Sequence, residues 1–344
     1  MIKEEKELSK LFKDETAQAM LTEMVKQSGY MSNLLGNLTM LKTGTKTSLI
    51  AAINELVDNR GSLSGLSTSA KNTIVAAINE IYAYTELQRS SGAGRCNSYM
   101  IGNGRNLGTA PTAAHYAAMQ DGSFAGMQVG DYWTRTITYN YTDPDDGDAT
   151  KNATITPVMR IGDASYLYRS GDTDLTKNGL IIVPDANLFT APMNPTNTTE
   201  GAYVGSKMRT KYLARAEAIF NAFFGAEHVV SYRGYLQNAV TNGKPSAGAW
   251  YDCKVELMSE PMVYGGYVFT PTSDGETIPN IYTVLCKQLS LFRLRPDMIS
   301  NRQWYWLMNV VSAAWFALVR DYGDAHYYGA GLSGGGVRPF AFVR

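Results

Sequence analysis

The 344-residue sequence reads as an α+β protein, with an N-terminal helical oligomerisation region followed by a mixed α/β head domain. Three features support that reading. Composition shifts near residue 90, and all five tryptophans (Trp133, Trp250, Trp304, Trp306 and Trp315) lie beyond the shift. The segment before it carries a repeated apolar pattern of helical period. The segment after it mixes alternating aromatic and β-branched runs with one strongly amphipathic stretch. The boundaries follow: 1–89 as helical anchor, 90–110 as a Gly/Ser-rich linker ("SSGAGRCNSYMIGNGRNLGTAP" spans 90–111), and 111–344 as the head.

The first element, 3–27, reads as a helix with Leu8, Leu11, Phe12, Ala17, Met20, Leu21 and Met24 on one broad face. It either extends a bundle or docks on another protein. Next comes an internal repeat: "LKTGTKTSLIAAINEL" (41–56) aligns with "LSTSAKNTIVAAINEI" (66–81), and 25 residues separate Lys46 from Lys71. In each copy Ser, Thr or Asn precedes the apolar run, which marks a helix N-terminus. Leu49, Ile53 and Leu56 are spaced four then three, as are Ile74, Ile78 and Ile81, giving an a/d-type seam. Ile50, Val57, Val75 and Tyr82 widen the stripe. Helices this short are marginal alone in water. The apolar face therefore needs cover, either from self-association, with a homotrimer preferred, or from an intrachain helical hairpin.

In the head, 111–122 reads as a short helix stopped by Gly122. Residues 131–142 read as one strand, and "ATITPVMRIG" and "ASYLYRSG" as further strands. "GLIIVPD" (179–185) reads as a short buried strand. Residues 205–225 form the clearest helix, with Met208, Tyr212, Ala216, Ile219 and Phe223 on one face and Gly225 at its end. "HVVSYRGYLQNAV" reads as a strand plus a short helix, and 305–319 as buried strand. Val337 to Arg344 reads as a terminal strand beside the first strand of the domain, with Gly334 to Gly336 as a flexible joint.

The totals exclude some functions. Basic and acidic residues balance at 31 each, which argues against a nucleic-acid partner needing a basic face. No apolar run reaches the length of a membrane span, so no membrane insertion is expected. "MIKEEKELSK" lacks the apolar core of a secretory signal. The three cysteines, Cys96, Cys253 and Cys286, form no C-x-x-C pair and read as small hydrophobes. His115, His228 and His326 share no metal-ligand spacing. "GNGRNLG" (102–108) has the wrong spacing for a dinucleotide fingerprint, and no nucleophile elbow is present. Asp143, Asp145, Asp146 and Asp148 crowd one loop without EF-hand spacing, so a solvated turn is expected, with a cation left open. Asp172 and Asp174 read as a turn in the same way. No catalytic residue, metal or cofactor is expected, and the chain reads as a non-enzyme.

Two resemblances add to this. "KTSLIAAINEL" and "KNTIVAAINEI" resemble blocks near the attachment or trimerisation region of phage and prophage tail-fibre and baseplate proteins. "AAHYAAMQDGSFAGMQVGDYW", "GLIIVPDANLFTAPMN", "AVTNGKPSAGAWYD", "SNRQWYWLMNVVSAAWFALV" and "GVRPFAFVR" together resemble structural or host-recognition proteins from prophages of Gram-positive gut bacteria. The closing Gly-Val-Arg-Pro is similar to the end of C-type-lectin-like domains, a superfold that includes formylglycine-generating enzymes and the variable proteins of diversity-generating retroelements. The resemblance implies a C-type-lectin-like head. "DYGDAHYYGAGLSGG" (321–335) has the position and much of the composition of the variable loops of the last group, though it lacks their Asn.

Taken together, the expectation is a virion protein: a tail-fibre or tail-tip adhesin whose head binds a bacterial cell-surface glycan or protein, and whose N-terminal region oligomerises and meets other virion proteins. Tyr322, Asp324, His326, Tyr327, Tyr328 and Ser333 are the expected ligand contacts, because Tyr supplies large amphipathic area at modest entropic cost. The tyrosines could instead pack on the core or a neighbouring subunit. The alternative function is a non-adhesive component such as a head fibre, capsid decoration or baseplate spacer.

Overall fold

A computed structural model describes residues 15–35, 40–60, 63–90, 104–173, 175–271 and 285–344. The chain is mixed α+β and divides into two compact units, Met1–Glu86 and Leu87–Arg344. Cys96, Asp174, most of the expected linker, and Leu8, Leu11 and Phe12 of the first expected helix lie outside the described residues.

The first unit contains helices α1 (Glu15–Leu35), α2 (Leu49–Arg60) and α3 (Ile74–Ser90). The two repeat copies fold alike. Ser48 Oγ accepts from Ala51 N and Thr73 Oγ1 from Ala76 N, so each helix starts on a side-chain cap. A second device is common to both. The Glu55 carboxylate folds back to accept the backbone N–H groups of Gly44 (2.7 Å) and Thr45 (2.5 Å). Glu80 accepts those of Ser69 (2.8 Å) and Ala70 (2.6 Å). Each loop is thus clipped to its own helix, and Ala52 and Ala77 are buried. The expected seam stays uncovered: Ile53, Leu56, Ile74, Ile78 and Ile81 are exposed, and Leu49 is half-buried. An intrachain hairpin that buries this seam is not seen among the described residues.

The second unit opens with α4 (Ala113–Asp121), ended by Gly122 as predicted and capped by Thr112. Its strands are β1 (Tyr132–Thr134), β2 (Ile137–Asp143), β3 (Ala149–Ile155), β4 (Val158–Ala164), β5 (Leu180–Pro184), β6 (Phe189–Thr190), β7 (Tyr232–Thr241), β8 (Lys244–Cys253), β9 (Val255–Leu257), β10 (Tyr305–Val310), β11 (Trp315–Val319), β12 (Ala325–Gly329), β13 (Gly336–Val337) and β14 (Pro339–Val343). A π-helical turn (Met208–Tyr212) leads into α5 (Leu213–Phe224), and α6 (Glu260–Tyr264) and α7 (Ser290–Leu294) are single turns. One sheet runs β1-β4-β5-β14-β9 and another β12-β11-β10-β13-β6; β2–β3 and β7–β8 are separate hairpins. The strands curl into a half-barrel. β5, β10 and β14 are buried throughout, which is why they read as near-continuous apolar runs, broken only by Asn309 in β10, rather than alternating ones.

Several expectations are corrected. The 131–142 strand breaks at Arg135 and Thr136, because the Arg135 guanidinium turns to donate to the carbonyls of Ala222 and Phe223 at the end of α5. "ASYLYRSG" is a run of turns, with Ser165 and Arg169 at positive φ (54° and 55°). "HVVSYRGYLQNAV" holds no helix. It enters β7, and Asn242-Gly243 (φ 52° and 75°) makes the two-residue turn to β8. The terminal strand β14 lies between β5 and β9, not beside β1. Gly335 and Gly336 are no flexible joint: both are buried, and a Cβ would sit 2.0 Å from Trp306 Nε1 and 1.8 Å from Asn187 Nδ2 respectively.

The acidic loop is not simply solvated. Asp145 accepts from Lys207 Nζ (2.6 Å) and Tyr212 Oη (2.8 Å), so the β2–β3 turn docks on the π-helical turn. Asp148 pairs with Lys211, and Lys151 pairs with both Asp143 and Asp146. Each of the four carboxylates is thus paired with a lysine.

Candidate ligand-binding surface

β12 is the edge strand of its sheet. Its register on β11 sets Trp315 opposite Gly329, Phe316 opposite Tyr328, Ala317 opposite Tyr327, Leu318 opposite His326 and Val319 opposite Ala325. Directly opposed residues share a face. Trp315 and Tyr327 therefore lie on one face and Tyr328 on the other, while the His326 ring turns at the strand edge to stack on Tyr327, with centroids 5.2 Å apart. The expected loose loop of 322–333 is thus half strand, and five of its residues are fixed by a ladder.

An aromatic cluster follows from this register. The Trp315 and Tyr327 rings stack, with centroids 4.9 Å apart and planes 21° apart. Phe269 meets Tyr327 edge-on at 5.0 Å. Trp315 is 43% exposed and Phe269 38%, high for such large apolar groups packed on one another. On the opposite face Tyr328, also exposed, lies 5.9 Å from Trp304.

Buried polar groups fix the frame. Glu260 is fully buried, and its carboxylate accepts the N–H groups of Val268, Phe269 and Thr270, which sets Phe269 against Tyr327. The 194–199 segment brackets the turns that flank the β11–β12 ladder. Thr199 N donates to the Ala313 carbonyl and Thr199 Oγ1 to that of Ser312. Asn194 N donates to the Ala330 carbonyl, and Gly331 N to Asn197 Oδ1. Beneath the sheet Trp306 Nε1 donates to the Ala191 carbonyl.

The six sequence-predicted contacts separate into three groups. Tyr322 projects from the β11–β12 turn and is 82% exposed. Asp324 braces that turn: Arg320 pairs with it at 2.6 Å and holds its carboxyl below the usual carboxylate range. His326, Tyr327 and Tyr328 lie on β12, where His326 Nδ1 sits 2.7 Å from the Tyr327 carbonyl, at the strand's outer edge. That contact occupies an edge acceptor and blunts strand addition. Ser333 is exposed on the turn after β12. Trp315, Phe269 and Asn197 were not foreseen. "WFALV" reads as wholly buried, although its period of two sets Trp315 apart from Phe316. Nothing in the sequence near Phe269 points to the site.

Among the described residues no cluster of His, Cys, Asp or Glu could hold a metal ion. His115 caps α4 and meets the edge of Trp133, and His228 stacks on Tyr116 at 3.4 Å. Cys253 is buried, and burial pushes its thiol above the usual range. Comparison with protein-family models, curated proteins and solved structures finds no match to this chain.

Proposed function

We propose that the chain is a virion protein, a tail-fibre or tail-tip adhesin of a phage or prophage of Gram-positive gut bacteria. Its C-type-lectin-like head takes a bacterial surface receptor on the β11–β12 face, and its helical region forms a homotrimer and attaches to other virion proteins. One observation carries the reading. Trp315, Tyr327 and Phe269 form a partly exposed aromatic cluster on a ladder that buried hydrogen bonds hold rigid. Rigid aromatics supply contact area without a large ordering cost, so they suit recognition. The uncovered seam on α2 and α3 supports assembly, and several copies would multiply a weak contact.

The test is binding of the labelled full chain to a panel of Gram-positive cells. The variant Tyr327→Ala should lose at least about tenfold in apparent affinity, roughly 1.4 kcal/mol, while circular dichroism shows the fold retained. Undiminished binding would show that this face is not the contact. A full chain that binds no cell favours the alternative, a head fibre, capsid decoration or baseplate spacer.

A further inference from the structure

We propose that the ligand of the β11–β12 face is a neutral carbohydrate, stacked on Trp315 and hydrogen-bonded by Asn197; this rests on the receptor-binding reading above. Gly329 is the cross-strand partner of Trp315, so the site of its missing side chain is on the Trp315 face. The Asn197 carboxamide fills that space: a Cβ on Gly329 would lie 2.4 Å from Asn197 Oδ1. The structure therefore sets an exposed amide beside an exposed indole that is stacked on Tyr327.

Each part of this arrangement matches one side of a sugar ring. The flat apolar C–H face of a pyranose covers an indole, and the ring's hydroxyls need fixed polar partners at its rim. Asn197 Oδ1 is held by Gly331 N at 2.9 Å, which fixes the amide plane. Its Nδ2 has no hydrogen-bond partner among the described residues, so its two N–H groups are left to donate to a ligand. Charge points the same way. Trp315, Tyr327, Phe269 and Asn197 are all neutral; the His326 imidazole stacks on Tyr327 at 5.2 Å, and Arg320, beyond the far end of β11, is already paired with Asp324. An anionic polymer would lose its hydration against Trp315 and Asn197, neither of which supplies a counter-charge.

The experiment uses the full chain and cells of a strain that it binds. Periodate oxidation of the cells should abolish binding, and protease treatment should leave it intact. Purified neutral cell-wall polysaccharide should compete, and lipoteichoic acid should not. Trp315→Ala and Asn197→Ala should each weaken polysaccharide binding at least about tenfold. Trp315→Phe should recover part of the loss, which a merely unfolded variant would not allow. Binding that survives periodate but not protease overturns the carbohydrate and makes the ligand a protein, while the receptor-binding reading stands. Competition by lipoteichoic acid alone overturns neutrality. Absence of binding to every strain overturns the receptor-binding reading, and this inference with it.

Discussion

Arg338 shows how one residue can carry a fold. It is 1% exposed, and among the described residues no carboxylate is hydrogen-bonded to it. Its guanidinium instead donates to the carbonyls of Pro184, Met298 and Ile299 and lies over the rings of Phe292 and Tyr305. Five planar donors let one side chain satisfy carbonyls from separate segments. It thereby ties the end of β5 and the 298–299 turn to the junction between β13 and β14, which belong to different sheets. Arg338→Met should cost about 3–5 kcal/mol, because the carbonyls stay buried without partners. Urea unfolding measures it, and a variant within about 1 kcal/mol of the parent would refute the role. The sequence shows Gly-Val-Arg-Pro as a signature but not its reason, since the partners of Arg338 lie about 40 and 154 residues away.

At the scale of elements, the 25-residue repeat is a loop–helix unit closed by its own glutamate. The Thr45 side chain, with the N–H groups of Thr45 and Gly44, holds the Glu55 carboxyl below its usual value; the N–H groups of Ser69 and Ala70 do the same for Glu80. A depressed folded value means that the clip contributes fully above the unfolded carboxylate value of about 4.3, and is lost as pH falls through the folded one. The amide resonances of Gly44, Thr45, Ser69 and Ala70 should therefore titrate with a midpoint below about 4.3 and stop responding in Glu55→Gln and Glu80→Gln. A midpoint at the unfolded value counts against the clip. The helices themselves were legible from their period and caps. The clip was not, although Glu sits at the same place in both copies, because back-folding of a carboxylate onto a preceding loop leaves no periodic trace. The β7–β8 hairpin was missed, although Asn242-Gly243 between alternating runs is a strong turn signal. Helix-like spacing in "YLQNAV" masked it.

At the scale of the whole molecule, exposed apolar helix faces and an exposed aromatic sheet face are separate requests for partners. Leaving an Ile or Leu of the seam in water forgoes about 1.5–3 kcal/mol per side chain, which association would recover. Ile53→Asp/Ile78→Asp should give a monomer by light scattering with the head's melting transition unchanged. Cell binding should then fall by about 10²-fold or more as avidity is lost. A double variant that stays oligomeric sinks the seam as the interface.

The helical region, the α+β class, the apolar seam and the buried strands 180–184 and 339–343 could be read from residue order, because each depends on periodicity or on a nearby cap or turn. The sheet order, the place of β14 between β5 and β9, and the meeting of Trp315, Phe269, Tyr327 and Asn197 are decided only by long-range pairing. Local pattern states which face of a strand is apolar. It does not state which distant segment will cover that face, or leave it open.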